Sequence, residues 1–238
     1  MLSPKPWRPD AIALLFVGVL VCICFGSIAA AAVQHYTGTK SMGTLQMLVA
    51  TLSFQGVALV LIARFLREHQ VNWSEAFGFA RDWRYALAAG LLAGCLFVPA
   101  GWLLEEISAR VMTRLHQFIP QPQEQQAVQA LRHTVSWTPR IVLGAVTILL
   151  VPAAEEMLFR GILYPAISQA GFPKLAWWGT SALFAAMHLN LMIFLPLLVL
   201  ALLLTYLYDR TDNLLAPIAA HSLFNAVNFV TLFVQKSG

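Results

Sequence analysis

Electrical charge is scarce in this chain of 238 residues. Asp, Glu, Lys and Arg make up 11% of the residues, whereas hydrophobic residues make up 59% and the mean hydropathy is +0.70. A soluble domain carries about 25% charged residues, so the composition excludes an ordinary soluble protein. It indicates a polytopic membrane protein of all-α class, and 26.2 kDa fits one bundle of about seven spans.

Cysteine is equally scarce. The chain holds only Cys22, Cys24 and Cys95, each inside an apolar segment, and it contains no CxxC pair. No paired spacing across a loop indicates a disulfide, so we expect buried, reduced, structural thiols.

Clustered positive charge is missing too, although the net charge is +4 and the pI is about 9.2. The basic residues flank apolar runs, as topology signals do, so we expect no nucleic-acid partner. Arginines around the second connection and Lys5 with Arg8 at the start place both of these regions in the cytoplasm. This orientation places the 109–139 stretch outside the cytoplasm, yet that stretch carries several arginines, which conflicts with the positive-inside rule.

Long apolar runs dominate what is present. A run of about 20 apolar residues crosses a bilayer as a helix, because every backbone polar group must be satisfied internally there. The first run lacks a clear cleavage site and is too long for a signal-peptide core, so we expect a retained span. The predicted spans are 11–33, 43–65, 85–107, 140–168, 175–189, 191–208 and 213–235. The fifth is short, so it and the sixth are alternatively a re-entrant or strongly tilted pair.

The least apolar stretch divides the chain. Residues 1–139 are predicted to form N-terminal membrane helices with a polar loop at about 109–139, and residues 140–238 a catalytic membrane core. Within the loop, the segment Gln121–His133 is polar and partly helical in pattern. We expect it on the membrane surface or over the end of the bundle.

One motif occurs twice, with different surroundings. Glu105-Glu106 and Arg110 have the spacing EExxxR, and so do Glu155-Glu156 and Arg160. The first copy ends an apolar run, which indicates solvated charges at a helix end. The second copy has apolar residues on both sides. A charge at the bilayer centre costs about 2.5–3.5 kcal/mol on insertion scales, so such groups usually mark a functional site.

The spacing of the second copy suggests two roles for its glutamates. Residues four apart share a helix face, so Glu156 and Arg160 are expected to form an ion pair. Glu155 is rotated by about 100° and is expected to face water and a substrate. A desolvated carboxylate near an imidazole suits general-base catalysis near neutral pH.

Two later segments add polar groups to this set. His188 ends the segment SALFAAMH, where a lone histidine is more often an interfacial residue than a catalyst. His221 and Asn225 lie four apart and share a helix face, so their N–H groups are placed to bind an oxyanion. Interhelical hydrogen bonding is an equally good explanation for that pair.

Read together, these motifs resemble the CPBP family of intramembrane glutamic endopeptidases, which contains CAAX prenyl proteases and bacteriocin-processing or immunity proteins. EExxxR matches Glu155 to Arg160, FxxxH matches Phe184 to His188, and HxxxN matches His221 to Asn225. The resemblance covers about residues 140–230, and the earlier residues match only as generic apolar helices.

The resemblance implies a role for each motif residue. Glu155 and His188 would hold and activate a water, Glu156 and Arg160 would order the site, and His221 with Asn225 would stabilise the oxyanion. We expect the polar cluster in a hydrated cavity between the predicted fourth, fifth and seventh spans. The implied activity is hydrolysis of a peptide bond in a membrane-anchored protein or peptide, in the lipid bilayer of a bacterial inner membrane, with no cofactor and no metal.

Three alternatives stay open. Two histidines and two glutamates are also zinc ligands, although no span carries the two histidines of HExxH. A family member acting as a non-proteolytic scaffold or immunity protein would keep the same residues. A small transporter with a proton-relay carboxylate also places Glu and His inside the membrane, although no paired broken helices are visible.

Overall fold

The computed structural model describes residues 2–37, 44–115 and 137–234. Within these ranges the chain forms helices joined by short turns and contains no strand, which confirms the all-α class. The helices are α1 (Pro9–Thr37), α2 (Thr44–Thr51), α3 (Val57–Glu68), α4 (Trp73–Phe77), α5 (Trp83–Leu115), α6 (Trp137–Ala145), α7 (Val151–Glu156), α8 (Tyr164–Gln169), α9 (Pro173–Ala186), α10 (Leu191–Thr211) and α11 (Leu215–Val234).

Three short π-helical segments link some of these helices without a break. They are π1 (Leu52–Gly56) between α2 and α3, π2 (Val146–Leu150) between α6 and α7, and π3 (Met157–Leu163) between α7 and α8. Each adds about one residue per turn, which rotates the side chains that follow relative to a regular α-helix.

Six helices in the described part of the chain are long and apolar enough to cross a membrane. They are Pro9–Tyr36, Gln46–Glu68, Trp83–Arg114, Arg140–Gln169, Leu191–Thr211 and Leu215–Leu232. Large apolar side chains of the first are exposed, as lipid contact requires: Leu14, Val17, Leu20, Val21, Phe25 and Ile28.

The structure has six such helices in its described part rather than the expected seven or so, and the difference lies in the fifth predicted span, 175–189. That segment forms α9, whose 14 residues extend about 21 Å, less than the hydrocarbon thickness of about 30 Å. It packs against both α8 and α10. The third span is longer than expected, since α5 continues to Leu115. The polar segment Gln121–His133 lies outside the described residues.

The chain divides into two compact units. The first comprises Met1–Lys5, Trp73–Gln123 and Phe159–Phe224, and the second comprises Pro6–Asn72, Glu124–Leu158 and Asn225–Gly238. The division predicted at residues 139 and 140 stays a prediction.

In the first unit, small residues bring α5 close to α11. A Cβ atom on Gly90 would lie 2.2 Å from the carbonyl oxygen of Ala216, and one on Gly94 would lie 3.1 Å from that of Ala220. Gly90 and Gly94 have the GxxxG spacing that lets membrane helices approach closely. This contact places the segment of α11 that carries His221.

The start of α11 is fixed by a buried amide in the same unit. Asn213 accepts a hydrogen bond from Leu215 N at 2.9 Å, which caps the helix, and its Nδ2 donates to the carbonyl of Arg81. The Arg81 guanidinium also pairs with Asp212. The connection from α10 to α11 is thus tied to the turn that precedes α5.

In the second unit, α1 packs on α2, π1 and α3, and π1 packs on α7. A Cβ atom on Gly26 would lie 2.2 Å from Cβ of Ser53, so α1 and π1 are in close contact. Met47 and Leu143 form a small buried cluster on which Leu48, Phe229 and Leu232 pack. The helix α7, which carries Glu155, therefore packs against π1, the π-helical part of the second spanning helix.

The substitution Gly90→Ala tests the α5–α11 contact. Replacing glycine by alanine in a helix usually stabilises it by about 1 kcal/mol. Here we expect the opposite, a fall in Tm of about 3–10 °C in detergent, because overpacking costs about 1–3 kcal/mol.

The matched control is Gly179→Ala in α9. A Cβ atom there would meet only the flexible end of Leu175, at 3.3 Å. We expect an unchanged or slightly higher Tm for this variant. A Gly90→Ala variant as stable as Gly179→Ala would contradict the close approach.

Candidate active site

The structure separates the two EExxxR copies by burial. Glu155 is 7% exposed, and Glu156 and Arg160 are 0% exposed. In the other copy, Glu106 and Arg110 form an ion pair of 2.7 Å, with side chains 58% and 76% exposed. The same sequence pattern is therefore a surface pair in α5 and a buried polar group in the helix from Arg140 to Gln169.

The groups of α10 accept hydrogen bonds from the guanidinium of Arg160. Its Nη2 donates to the carbonyl of Ala201 at 3.0 Å, and its Nε approaches Oγ1 of Thr205 at 3.4 Å. The Thr205 hydroxyl itself donates to the Ala201 carbonyl at 2.9 Å, which turns its lone pairs toward the guanidinium. On another side, Cζ of Arg160 lies 4.6 Å from the ring centroid of Phe184, a cation–π contact.

Phe184 is the common neighbour of the first unit's motif residues. Besides Arg160, it contacts Phe159 edge to face, with centroids 5.3 Å apart at 87°. Its centroid lies 5.1 Å from that of His188 and 5.7 Å from that of His221, the latter at 77°. The ring of the FxxxH phenylalanine thus touches one residue from each of the three motifs.

The main chain fixes the tautomer of His188. Its Nδ1 lies 2.9 Å from the carbonyl oxygen of Phe184, one turn earlier. A carbonyl oxygen only accepts, so Nδ1 carries the hydrogen and Nε2 is the basic nitrogen of the neutral ring. His69 shows the same arrangement on Phe65, and its Nε2 accepts from the backbone N–H of Arg8.

Glu155 has a polar neighbour in the second unit. Its Oε1 accepts from Nε2 of Gln55 at 3.4 Å, and both residues are buried. Gln55 belongs to π1 and is the buried residue of that segment. Sequence reasoning missed this residue, although an amide near the middle of an apolar span was a usable signal.

Asn225 is held in the same unit by the main chain of π2. Its Nδ2 donates to the carbonyl of Thr147 at 3.0 Å. An amide nitrogen carries two hydrogens, so this bond orients the side chain and uses one of them. Thr147 could not be recognised from the sequence, because its backbone carbonyl makes the contact.

The predicted residues thus fall into two groups. Arg160, His188 and His221 lie in the first unit around Phe184, whereas Glu155, Glu156 and Asn225 lie in the second unit. Their convergence on one peptide bond stays a prediction, as does the Glu156–Arg160 ion pair. In neither unit do the described His, Cys, Asp and Glu residues form a group of three or more that is suited to a metal ion.

These features define an integral, multi-pass membrane protein with ionisable side chains buried in its helices. The profile of the type II CAAX prenyl endopeptidase Rce1-like family matches residues 136–227, which include all six predicted site residues. The match confirms, over this region, the resemblance predicted from the three motifs.

Two relatives are similar over a third of the chain. The uncharacterized protein YpbD of Bacillus subtilis (strain 168) is 36% identical over 83 residues, which are 33% of this chain and 40% of YpbD. The UPF0177 protein YxdF of Lactococcus lactis subsp. lactis (strain IL1403) is 32% identical over 78 residues, 32% of this chain and 42% of YxdF. The chain thus spans about two fifths of the length of each relative. No solved structure matches it.

The two EExxxR copies provide a matched test of the buried site. Arg160→Met removes charge-assisted hydrogen bonds and a cation–π contact, so we expect Tm in detergent to fall by about 5–10 °C. Arg110→Met breaks an exposed pair and should lower Tm by no more than about 2 °C. Equal shifts for the two variants would show that Arg160 is not held as described.

Proposed function

We propose that this protein is an intramembrane endopeptidase that hydrolyses a peptide bond of a membrane-associated protein or peptide. The observation that carries the proposal is the buried EExxxR motif within the region that matches a family of endopeptidases. A carboxylate that stays buried in an apolar helix implies a use that offsets its desolvation.

Glu155 and His188 are the residues we assign to the water. Glu155 accepts a proton from the water while the water oxygen attacks the carbonyl carbon of the substrate. This attack forms a tetrahedral oxyanion. Nε2 of His188, the basic nitrogen of the neutral ring, accepts a hydrogen bond from the same water. The proton held by Glu155 then passes to the leaving nitrogen as the C–N bond breaks, so that the glutamate is regenerated.

His221 and Asn225 are assigned to the oxyanion. Asn225 donates one N–H to Thr147, and we assign its second amide N–H to the developing negative charge. The His221 ring is 3% exposed and packs edge-on against Phe184, which restricts its orientation. Fixed donors need no reorganisation during the reaction, and this is the source of their effect.

Glu156 and Arg160 are assigned to ordering the site. Arg160 is anchored to α10 through Ala201 and Thr205 and stacks on Phe184. A cation held there packs on the ring that contacts both histidines. Neither Glu156 nor Arg160 exchanges a proton in this scheme.

The substrate class is set by the location of the site. Five of the six assigned residues lie in helices of spanning length, and His188 follows the shorter α9, so the scissile bond belongs to a chain that is itself in or at the membrane. The family's printed name refers to CAAX prenyl endopeptidases, but nothing in this chain indicates a prenyl group. The two bacterial relatives favour a bacterial inner (plasma) membrane as the location.

Comparative proteomics of membrane-protein termini tests the proposal. Cells that make Glu155→Ala or His188→Ala should lose a cleaved terminus that wild-type cells produce, with the variant proteins present in the membrane in equal amount. The loss should exceed a hundredfold, because each variant removes a group that acts on the attacking water.

Glu105→Ala is the matched control, because it alters the first glutamate of the other EExxxR copy. This variant should cleave as wild type does. Purified Glu155→Ala protein that retains cleavage would remove the proposal. Full biological activity of the site variants would identify a non-proteolytic scaffold instead.

A further inference from the structure

Gln55 is a buried polar residue in a helix that offers few other polar groups. It is 8% exposed and lies in π1, between the apolar helices α2 and α3. An amide transferred to an apolar medium without a hydrogen bond costs several kcal/mol, about 4–8 on the cyclohexane scale. Its place in a spanning helix therefore depends on the partner it finds.

That partner is Glu155, 100 residues later in the chain. Nε2 of Gln55 lies 3.4 Å from Oε1 of Glu155, and both side chains belong to the second unit. An amide donor offers a carboxylate a hydrogen bond without adding a charge. It thereby fixes the position of one carboxylate oxygen and, because the group is planar, restricts the direction of the other.

The backbone around Gln55 is held from the opposite side. Gly26 of α1 approaches Ser53 so closely that a Cβ atom on the glycine would lie 2.2 Å from Cβ of the serine. Ser53 and Gln55 are both in π1, and π1 also packs on α7, which carries Glu155. The amide is therefore presented from a packed segment, as a positioning residue requires.

We propose that Gln55 is a positioning residue for Glu155, holding the carboxylate in the orientation in which it accepts a proton from the attacking water. The inference rests on the proposed function. It also extends the functional part of the chain beyond residues 136–227, since Gln55 lies outside the region that matches the family. The second long helix then contributes to the chemistry as well as to the bundle.

Three side chains of nearly equal length at this position separate hydrogen bonding from packing. Gln55→Met keeps the shape and removes the donor, and Gln55→Glu replaces the donor by an acceptor that repels Glu155. The probe is a synthetic peptide spanning the Glu155-dependent cleavage site, added to the purified full chain in phosphatidylethanolamine–phosphatidylglycerol vesicles.

We expect kcat to fall about ten- to a hundredfold for Gln55→Met and further for Gln55→Glu, with KM within about twofold of wild type. A residue that only fills space would give the same kcat for all three side chains, and this result would overturn the proposal. Gln46→Met is the matched control, a buried glutamine of the same long helix, and should leave kcat unchanged.

Thermal unfolding tests the contact without any substrate. Gln55→Met should lower Tm in the wild-type background, where it leaves the carboxylate with one donor fewer. In the Glu155→Met background the same change should leave Tm unchanged or raise it, because removing both partners of a buried pair is nearly neutral. Equal shifts in the two backgrounds would overturn the contact.

The proteomics of membrane-protein termini and the comparison of kcat values together distinguish the failure of this inference from that of the proposed function. If wild-type protein yields no Glu155-dependent terminus, the proposed function fails, and the role of Gln55 in hydrolysis fails with it. If wild type cleaves but the three side chains support equal kcat, only the role of Gln55 is wrong.

Discussion

A fully buried arginine is the constraint on which the first unit's part of the site depends. Arg160 is 0% exposed, so every favourable interaction of its charge must come from the protein. The carbonyl of Ala201, the hydroxyl of Thr205 and the face of Phe184 surround the guanidinium. Meeting this requirement also places the Phe184 ring, and that ring touches both His188 and His221. The buried cation and the two imidazoles thus pack on one ring.

The sequence was sufficient for features that depend on composition and local spacing. A charged fraction of 11% indicated the class of fold, and the apolar runs located five of the six spanning helices to within three residues at each end, whereas the third extends to Arg114 rather than to residue 107. The surroundings of the two EExxxR copies predicted which one is buried, because burial follows from the polarity of neighbouring residues. The motifs also led to the family, since their order and spacing are properties of the sequence itself.

Features that depend on tertiary contacts were not predictable in the same way. The segment 175–189 is apolar enough to suggest a span, yet α9 ends at Ala186 and packs on α8 and α10. The contacts of Arg160 with Ala201 and of Asn225 with Thr147 use backbone carbonyls, which carry no residue-specific signal. Gln55 was visible as an unusual amide in an apolar run, but its partner lies 100 residues away.

The π-helical segments explain how membrane helices present these groups. A regular α-helix satisfies its backbone internally, so a polar side chain or carbonyl must be turned out of that pattern to serve another partner. Each of the three segments accompanies such a group: π1 carries Gln55, π2 carries the Thr147 carbonyl and π3 carries Arg160. A π turn shifts the register by one residue without breaking the helix, which keeps the backbone satisfied in hydrocarbon. Local changes of helical register thus allow polar groups to be oriented within otherwise apolar spans. For the same reason, the 3.6-residue periodicity of an ideal α-helix assigns the residues after a π-helical segment to the wrong face.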